Sequence, residues 1–267
     1  MDFIVTATTD VGIRKKVNQD RMFAGRMETP NGVVAFAVLC DGMGGLEKGE
    51  IASSVLVRAF SQWISKFGEE LNDIAIEDCV IREQWTAVVE EINAWILEYS
   101  RENGCRMGTT VTVLFLTSRR YYLLNIGDTR AYEVSPFGMR QLTVDHTLVQ
   151  REVELGNLTR KQAESAPMGN VLTRCVGIEA EVYPDLFFGK PKEGAVYLLC
   201  SDGFRHRVAE EEIIAQLFGG DGERCMESRQ EALVELVKER GETDNISVIT
   251  IQCRDFEERG NERFNAQ

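Results

Sequence analysis

The sequence predicts an α+β fold built from mostly antiparallel sheets that are covered by helices. Strand-like apolar runs follow one another across short turns, and amphipathic helices come in pairs between these blocks of strands. A parallel sheet would instead require strands and helices to alternate one by one along the chain. The 267 residues, 43% of them hydrophobic, suit one large domain or two small ones, and no linker or internal repeat divides them.

Each predicted element rests on its own residue pattern. The first half of the chain predicts two strands and then two long helices with apolar residues at helical spacing, at 3–8, 33–40, 48–67 and 77–101. Short strands separated by turns follow, at 109–116, 121–126, 130–135 and 139–142. The stretch 145–177 predicts irregular structure with short helices, which inside a domain is often functional. The last predicted elements are strands at 181–187 and 195–200, helices at 209–218 and 224–240, and a strand at 245–253.

Charge and cysteine content disfavour several functional classes. A net charge of -13 and a pI of about 4.8 argue against nucleic-acid binding, which needs basic surface, and disfavour an anionic membrane surface. No apolar run approaches the roughly 18 residues of a membrane span, and the N-terminus lacks a signal-peptide pattern. The seven cysteines include no Cys-x-x-Cys pair, which favours reduced thiols in a cytoplasmic protein.

Four aspartates at the ends of strand-like runs or in turns carry the main functional signal. They are Asp20, Asp41, Asp202 and Asp244. Because they are far apart in the sequence, only the fold could bring them together. A cluster of carboxylates cannot stay ionised without counter-cations, and hard divalent cations prefer oxygen ligands. The glycine after Asp41 also lets the Gly42 carbonyl approach an ion without obstruction from a side chain.

The chemistry of such a site suits a phosphate ester. Two divalent cations about 3.5–4 Å apart share a water molecule, lower its pKa and neutralise a phosphoryl group during in-line attack. An isolated Asp-Gly pair is most often an ordinary turn, so the signal lies in the set of aspartates. Asp128, in the turn between two predicted strands, adds a fifth member to this set.

The order of the motifs resembles one family along nearly the whole chain. The matching segments are Asn18-Gln19-Asp20, Asp41-Gly42-Met43-Gly44-Gly45, Gly108-Thr109-Thr110, Gly127-Asp128-Thr129-Arg130, Asp145-His146, Ser201-Asp202-Gly203 and Asp244-Asn245-Ile246. They are similar to those of metal-dependent protein phosphatases of the type 2C family, in their compact bacterial form. The resemblance implies a four-layer α-β-β-α sandwich of two antiparallel sheets between helices. It also implies a single domain at 1–253, with a flap at about 145–177, and a polar tail at 254–267.

The resemblance further implies a protein serine/threonine phosphatase. Such an enzyme hydrolyses phosphoserine and phosphothreonine by direct attack of a water molecule that bridges two divalent metals, Mn2+ or Mg2+. Asp41 would bridge both metals, and Asp202 and Asp244 would complete the first site. Asp20 and the Gly42 carbonyl would serve the second site, partly through water. The implied partners are phosphorylated proteins and an opposing serine/threonine kinase, and we expect a cytoplasmic monomer that binds neither nucleic acid nor membrane.

The resemblance leaves the phosphate-binding residue open between two neighbours. Many members have an arginine five residues before the aspartate of the first motif, where it grips the substrate phosphate. Lys15 stands at that distance from Asp20, with Arg14 beside it. We favour Arg14, because a guanidinium binds phosphate through two hydrogen bonds and an ammonium only as a point charge. The predicted catalytic side chains are therefore Asp41, Asp202, and Arg14 or Lys15.

Several other positions are interpreted through the same resemblance. Asp128, together with Asp202, resembles the ligands of a third, weaker metal site that bacterial members use. His146 matches a family position at the start of the flap, and we interpret it as a structural hydrogen bond. Met43 stands where eukaryotic members place a histidine, so the proton donor to the leaving group is unassigned. The segment Phe204-Arg205-His206-Arg207 is interpreted as the solvated start of a helix.

Two other functions compete with the phosphatase hypothesis. A pseudophosphatase would only bind phosphoproteins, but it should have damaged metal ligands, and all the core aspartates are present. A hydrolase of small phosphate esters would use the same cations on a different substrate.

A P-loop nucleotide hydrolase is disfavoured because the chain has no Gly-x-x-x-x-Gly-Lys-Ser/Thr segment. A serine triad is disfavoured by the two histidines and the lack of a Gly-x-Ser-x-Gly segment.

Overall fold

The computed structural model describes residues 1–30, 32–43, 48–70, 76–163, 166, 168–169, 171–219 and 225–254. Gly44 and Gly45 of the second aspartate motif, and residues 255–267 of the predicted tail, lie outside the described residues. The strands are β1 (Asp2–Asp10), β2 (Arg21–Thr29), β3 (Gly32–Cys40), β4 (Val111–Leu116), β5 (Tyr121–Ile126), β6 (Arg130–Ser135), β7 (Gly138–Gln141), β8 (Asp185–Gly189), β9 (Val196–Cys200) and β10 (Ile246–Arg254). The helices are α1 (Gly49–Glu70), α2 (Asp78–Asn103), α3 (Leu148–Glu154), α4 (Arg160–Ala163), α5 (Asp202–Arg205), α6 (Glu210–Phe218) and α7 (Met226–Glu239).

The strands form two five-stranded sheets. Sheet A has the order β1-β10-β9-β6-β7, and sheet B has the order β2-β3-β4-β5-β8. Every pairing between these strands is antiparallel. The prediction of two antiparallel sheets is therefore confirmed. Sheet A joins the first and last strands of the chain, so that residues more than two hundred positions apart become neighbours.

Alternation along the strands separates the buried residues into layers. In β3, Ala35 and Ala37 face the other sheet, whereas Phe36 and Val38 face the helices, as the two-residue period of a strand requires. The outer face of sheet B packs under α1 and α2 around the fully buried Trp85. The outer face of sheet A packs under α6 and α7. The result is the expected four-layer α-β-β-α sandwich.

Two strand predictions differ from the structure. The strand β2 was not predicted, because its segment has few β-branched residues and lies half-exposed at the edge of sheet B. Pairing with the apolar strand β3 stabilises it instead. The strand predicted at 181–187 begins only at Asp185, directly after Pro184, because proline cannot donate a hydrogen bond to the neighbouring strand.

All seven cysteines are free thiols, and Cys40, Cys200 and Cys253 are buried in the sheets. Burial raises the pKa of Cys200 to about 12, so that its thiol behaves as a small apolar group. In the described part of the chain, no helix combines the length and the apolar character that crossing a bilayer demands.

Candidate metal centre

Two of the candidate aspartates come from sheet B through the register of β2 against β3. Asp20 lies just before β2 and Asp41 just after β3, so the antiparallel register places them opposite one another. The Gly42 N–H donates to the carbonyl oxygen of Gln19 at 3.2 Å and continues the pairing past the strand ends. The two carboxylates therefore leave the sheet at the same end.

The other two candidate aspartates come from the neighbouring strands β9 and β10 of sheet A. Asp202 follows β9, and Asp244 precedes β10, which pairs with β9. Between them Gly203 packs so closely that a Cβ would lie 2.1 Å from the Asn245 carbonyl oxygen and 3.5 Å from the Cβ of Asp244. The glycine after Asp202 is therefore a packing requirement that lets the two aspartates approach each other.

The two pairs meet across the sandwich. Ser247 of sheet A donates from Oγ to Oδ2 of Asp20 at 2.6 Å. Burial raises the pKa of Asp20 to about 6, although the hydrogen bond from Ser247 stabilises the ionised form and opposes this rise. The Asp202 and Asp244 carboxylates raise it further. The Ser247 hydrogen bond ties Asp20 to sheet A, and the charges of Asp202 and Asp244 reach it there.

Asp41 is the most strongly affected member of this cluster. Burial raises its pKa well above the ordinary value, and the other aspartates of the cluster raise it further. They are Asp20, Asp202, Asp128 and Asp244. A carboxylate with several like charges near it stays ionised only beside a compensating cation.

The residues present fit a hard divalent cation. Oδ1 of Asp20 is buried without a hydrogen-bond partner among the described residues, which leaves a carboxylate lone pair for a ligand. At Gly42 a Cβ would lie 2.6 Å from the Gly49 carbonyl oxygen and 2.7 Å from that of Gln19, so only glycine fits beside the cluster. Within the described residues no three acidic, histidine or cysteine side chains lie close enough together to hold an ion without moving. Carboxylate and carbonyl oxygens are the donors that Mg2+ and Mn2+ prefer.

The main chain of Asp41 is held by two buried threonines. Thr110 accepts the Asp41 N–H at Oγ1 over 3.0 Å, and its own N–H donates to the Asp41 carbonyl at 2.9 Å. The Thr109 hydroxyl donates to the same carbonyl at 2.9 Å. These bonds fix the strand end from which the Asp41 carboxylate extends.

Substitution of Thr110 by valine, which keeps its shape, should weaken metal binding. The partly buried Asp41 N–H loses its acceptor, which should cost about 1–2 kcal/mol of unfolding free energy. Because residues that orient metal ligands contribute strongly to affinity, the dissociation constant for Mn2+ should rise about 10-fold by calorimetric titration.

The matched control for Thr110→Val is Thr117→Val, at the opposite end of β4. The Thr117 hydroxyl accepts the N–H groups of Arg119 at 3.2 Å and Arg120 at 3.0 Å, so its loss should destabilise the fold similarly. Its Mn2+ affinity should equal that of the wild-type chain. Equal Mn2+ affinity in both variants would show that Thr110 is only structural.

A single buried side chain fastens the loop 11–19 beside the aspartates. The Asn245 carbonyl Oδ1 accepts the Gln19 N–H at 2.9 Å. Its Nδ2 donates to the carbonyl oxygens of Val11 at 2.9 Å and Val17 at 3.2 Å. Three hydrogen bonds from one residue give this loop a defined shape.

The loop directs Lys15, and not the favoured Arg14, toward the cluster. Lys15 Nζ lies 2.7 Å from Oδ1 of Asp244. Burial alone would lower the pKa of Lys15, but the carboxylates of Asp244, Asp41 and Asp202 raise it above its ordinary value. Arg14 is exposed to solvent. The geometry therefore favours Lys15 as the cation nearest the site.

His146 has the hydrogen bonds of a structural residue, as the sequence interpretation proposed. Its Nδ1 accepts the Gly127 N–H at 3.1 Å, so Nε2 carries the proton and donates to Oδ2 of Asp185 at 3.1 Å. Burial lowers the pKa of His146, which favours this neutral form. The side chain thereby joins the start of the predicted flap to the β5–β6 turn and to β8.

Sequence reasoning assigned no role to Thr110, Ser247 or Asn245, although a signal was present for each. Thr110 and Ser247 are polar residues beside or within apolar buried strands. A buried polar group must find a hydrogen-bond partner, which marks such residues as positioning groups. Asn245 directly follows the fourth aspartate, but its contacts with the loop depend on the tertiary fold.

The comparison with known proteins identifies the family of this chain. A family model described as protein phosphatase 2C matches residues 13–238. The serine/threonine phosphatase stp of Listeria monocytogenes serotype 4b is 30% identical over 258 residues, which covers 94% of this chain and 96% of that protein. The structure of the serine/threonine phosphatase Stp1 from Staphylococcus aureus has a TM-score of 0.82 at 28% identity, over 96% of each chain.

A second solved structure bears on the metals. The catalytic domain of the serine threonine protein phosphatase PstP, in complex with 2 manganese ions, has a TM-score of 0.77 at 28% identity. The similarity covers 95% of this chain and 99% of that domain. The fold, the ordered aspartate motifs and the family match lead to one conclusion. The chain belongs to the protein phosphatase 2C family.

Proposed function

We propose that this chain, a metal-dependent serine/threonine protein phosphatase, holds its two divalent cations with four aspartates from the two sheets. They are Asp20, Asp41, Asp202 and Asp244. The observation that carries the proposal is that Asp202 and Asp244, far from Asp20 and Asp41 in the sequence, raise the pKa of both. Bound there, Mn2+ or Mg2+ would lower the pKa of water and neutralise the charge of a phosphoryl group.

The position of each aspartate supports a division of roles. Asp41 is affected by all the other carboxylates, so it suits the ligand that both cations share. Asp202 and Asp244 lie at the ends of neighbouring strands of sheet A and would serve one cation. Asp20, with its unpartnered Oδ1, and the carbonyl of Gly42 would serve the other cation. The protein itself positions these oxygens through the strand register and excludes side chains at the glycines.

Lys15 is proposed to attract the phosphate group of the substrate. Its ammonium is held at the edge of the cluster by Asp244 at 2.7 Å and is fully charged at neutral pH, because its pKa is raised. The Lys15 ammonium can leave the Asp244 carboxylate and bind a phosphate oxygen while the main chain of Lys15 stays in place. The sequence-based preference for Arg14 stays a prediction that mutation can decide.

Replacement of each cation by methionine, which keeps the aliphatic length, separates the two candidates. Lys15→Met should lower kcat/KM for an aryl phosphate by roughly 10-fold, mainly through KM, because a charged hydrogen bond to phosphate is lost. Arg14→Met should stay within about 2-fold of the wild-type value, since surface charges contribute little. Steady-state kinetics at fixed Mn2+ concentration measure both. A larger effect of Arg14→Met would return the role to arginine.

The overall function is tested by metal-dependent hydrolysis of a generic aryl phosphate and of phosphopeptides. Activity should require added Mn2+ or Mg2+ and should stop with a chelator. Phosphothreonine and phosphoserine peptides should be hydrolysed, and phosphotyrosine peptides more slowly. Turnover of small esters alone would favour the small-molecule hydrolase. Binding of phosphopeptides without turnover would favour the pseudophosphatase.

The partners of the enzyme are proposed at two levels of detail. Its substrates are phosphorylated proteins. We further propose an opposing serine/threonine kinase that phosphorylates the same proteins, a monomeric state and a cytoplasmic location. Support for these three comes from the family resemblance of the motifs alone. Light scattering of the purified chain would test the monomer directly.

A further inference from the structure

A guanidinium group lies against the fifth aspartate of the cluster. The register of β6 against β9 places Asp128, in the turn before β6, opposite Asp202, which follows β9. The helix α5 starts at Asp202, and one turn later its Arg205 returns to the same side. Nη2 of Arg205 lies 3.4 Å from both the carbonyl oxygen and Oδ2 of Asp128. The fold thus places a cation against Asp128 on the side of Asp202.

The other cation of this region is already engaged. Arg130 binds Asp145 through two of its nitrogens, with the shortest distance 2.6 Å from Nη2 to Oδ2. Arg205 also lies 4.0 Å from the same Asp145 oxygen, at the outer limit of an ion pair. Within the described residues, Arg205 is therefore the only cation that forms an ion pair with Asp128. Arg130 and Arg205 therefore form one network with Asp145 and Asp128.

Burial makes this pairing important for Asp128. The residue is only 5% exposed, and the Arg205 side chain is 18% exposed. Burial and the charge of Asp202 raise the pKa of Asp128 to about 7, and the Arg205 charge opposes them. A buried carboxylate left without a partner is strongly unfavourable, so Asp128 requires either this guanidinium or a metal ion.

We propose that Arg205 is the built-in counter-cation of Asp128, so that the centre takes two divalent cations and Asp128 binds none. The proposal rests on the proposed function, which supplies the two cations. The family resemblance predicted a third, weaker metal site at Asp128 and Asp202. The guanidinium takes the place of that third ion in this chain. Removal of the charge at position 205 should open a cation site at Asp128 and Asp202.

The number of Mn2+ ions bound at saturation tests the proposal without an activity measurement. Free Mn2+ is measured by electron paramagnetic resonance during titration of the metal-free chain. The wild-type chain should bind two equivalents. Arg205→Met, which keeps much of the side-chain length but removes the charge, should bind three, the third more weakly. Addition of Asp128→Asn to Arg205→Met should return the count to two.

Two further variants serve as controls. Arg205→Lys keeps the positive charge and should bind two equivalents. Arg207→Met removes a neighbouring cation that lies 3.7 Å from Glu242, and it should also bind two. Each variant is melted thermally to establish that it folds. If Arg205→Met does not fold, Asp128→Asn in the wild-type background decides, since it should keep two equivalents with unchanged affinities.

Several results would overturn the proposal. Three equivalents in the wild-type chain, or two in folded Arg205→Met, would do so. A third equivalent that persists in the double variant would assign the new site to other residues. Loss of one equivalent in Asp128→Asn alone would make Asp128 a metal ligand, as the family resemblance predicted. Failure of the wild-type chain to bind any Mn2+ would instead contradict the proposed function, so the two failures are distinguishable.

Discussion

The variant Asp41→Asn should hydrolyse an aryl phosphate at least about 100-fold more slowly than the wild-type chain at saturating Mn2+. Asn is nearly the same size as Asp but carries no charge, so the loss is electrostatic. A ligand shared by two cations supports the charge stabilisation that each of them gives the transition state, which is worth several kcal/mol. A 100-fold loss corresponds to about 3 kcal/mol of that stabilisation. Wild-type turnover in Asp41→Asn would contradict the proposed site.

The same substitution, Asp41→Asn, should make the metal-free chain more stable. The pKa of Asp41 is raised in the folded state by burial and by its neighbours, so the folded chain binds its proton more tightly than the unfolded chain. Stability is therefore lost as the pH rises above the ordinary pKa of an aspartate toward the raised value. Asn removes this repulsion. At neutral pH with chelator, Asp41→Asn should melt at a higher temperature than the wild-type chain.

Added Mn2+ should reverse the order of these two melting temperatures. The wild-type chain should gain stability from binding, by mass action, and Asp41→Asn should gain much less. Glu231→Gln, which neutralises an exposed carboxylate on α7, is the matched control. It should leave both melting temperatures and the activity unchanged. If Asp41→Asn melted below the wild-type chain in chelator, the carboxylates would not be repelling one another in the metal-free fold.

The strands whose sequences carry their own signal were predicted well. β5 and β6 are bounded by turn residues and were placed at their observed limits. β2 carries no such signal, because its residues are half-exposed and its stability comes from β3. Propensity describes a residue in isolation, whereas an edge strand depends on its neighbour. The strand beside Asp20 therefore had to be found in the structure.

The residues of the candidate site were likewise only partly predictable from the sequence. Asp-Gly pairs after apolar strands are visible in the sequence, and they predicted Asp41 and Asp202 as ligand candidates. The choice between Arg14 and Lys15 was not visible, because it depends on how Asn245 holds the loop 11–19. Adjacent residues point in different directions, and only the fixed shape of the loop decides which one faces the cluster. Tertiary contacts thus determine which of the two cations lies beside the aspartates.

The variant Asn245→Ala should be the most damaging substitution that removes no candidate ligand. Asn245 is buried, and its side chain satisfies one N–H and two carbonyl groups of the loop. Each net hydrogen bond contributes about 0.5–1.5 kcal/mol, so we expect a loss of about 3 kcal/mol of unfolding free energy. Chemical denaturation in chelator measures it, because stabilisation by bound metal is then excluded.

Asn245→Ala should also lower activity, because the loop 11–19 loses these hydrogen bonds. Lys15 and Asp20 lie in or directly after this loop, so its loosening should lower kcat/KM about 10-fold even at temperatures where the variant is folded. Asn103→Ala is the matched control, because its Nδ2 donates to the Tyr99 carbonyl at the exposed end of α2. It should change stability by less than about 1 kcal/mol and leave kcat/KM unchanged. If Asn245→Ala lost stability but kept full activity per folded molecule, the loop would not position the residues that act on phosphate.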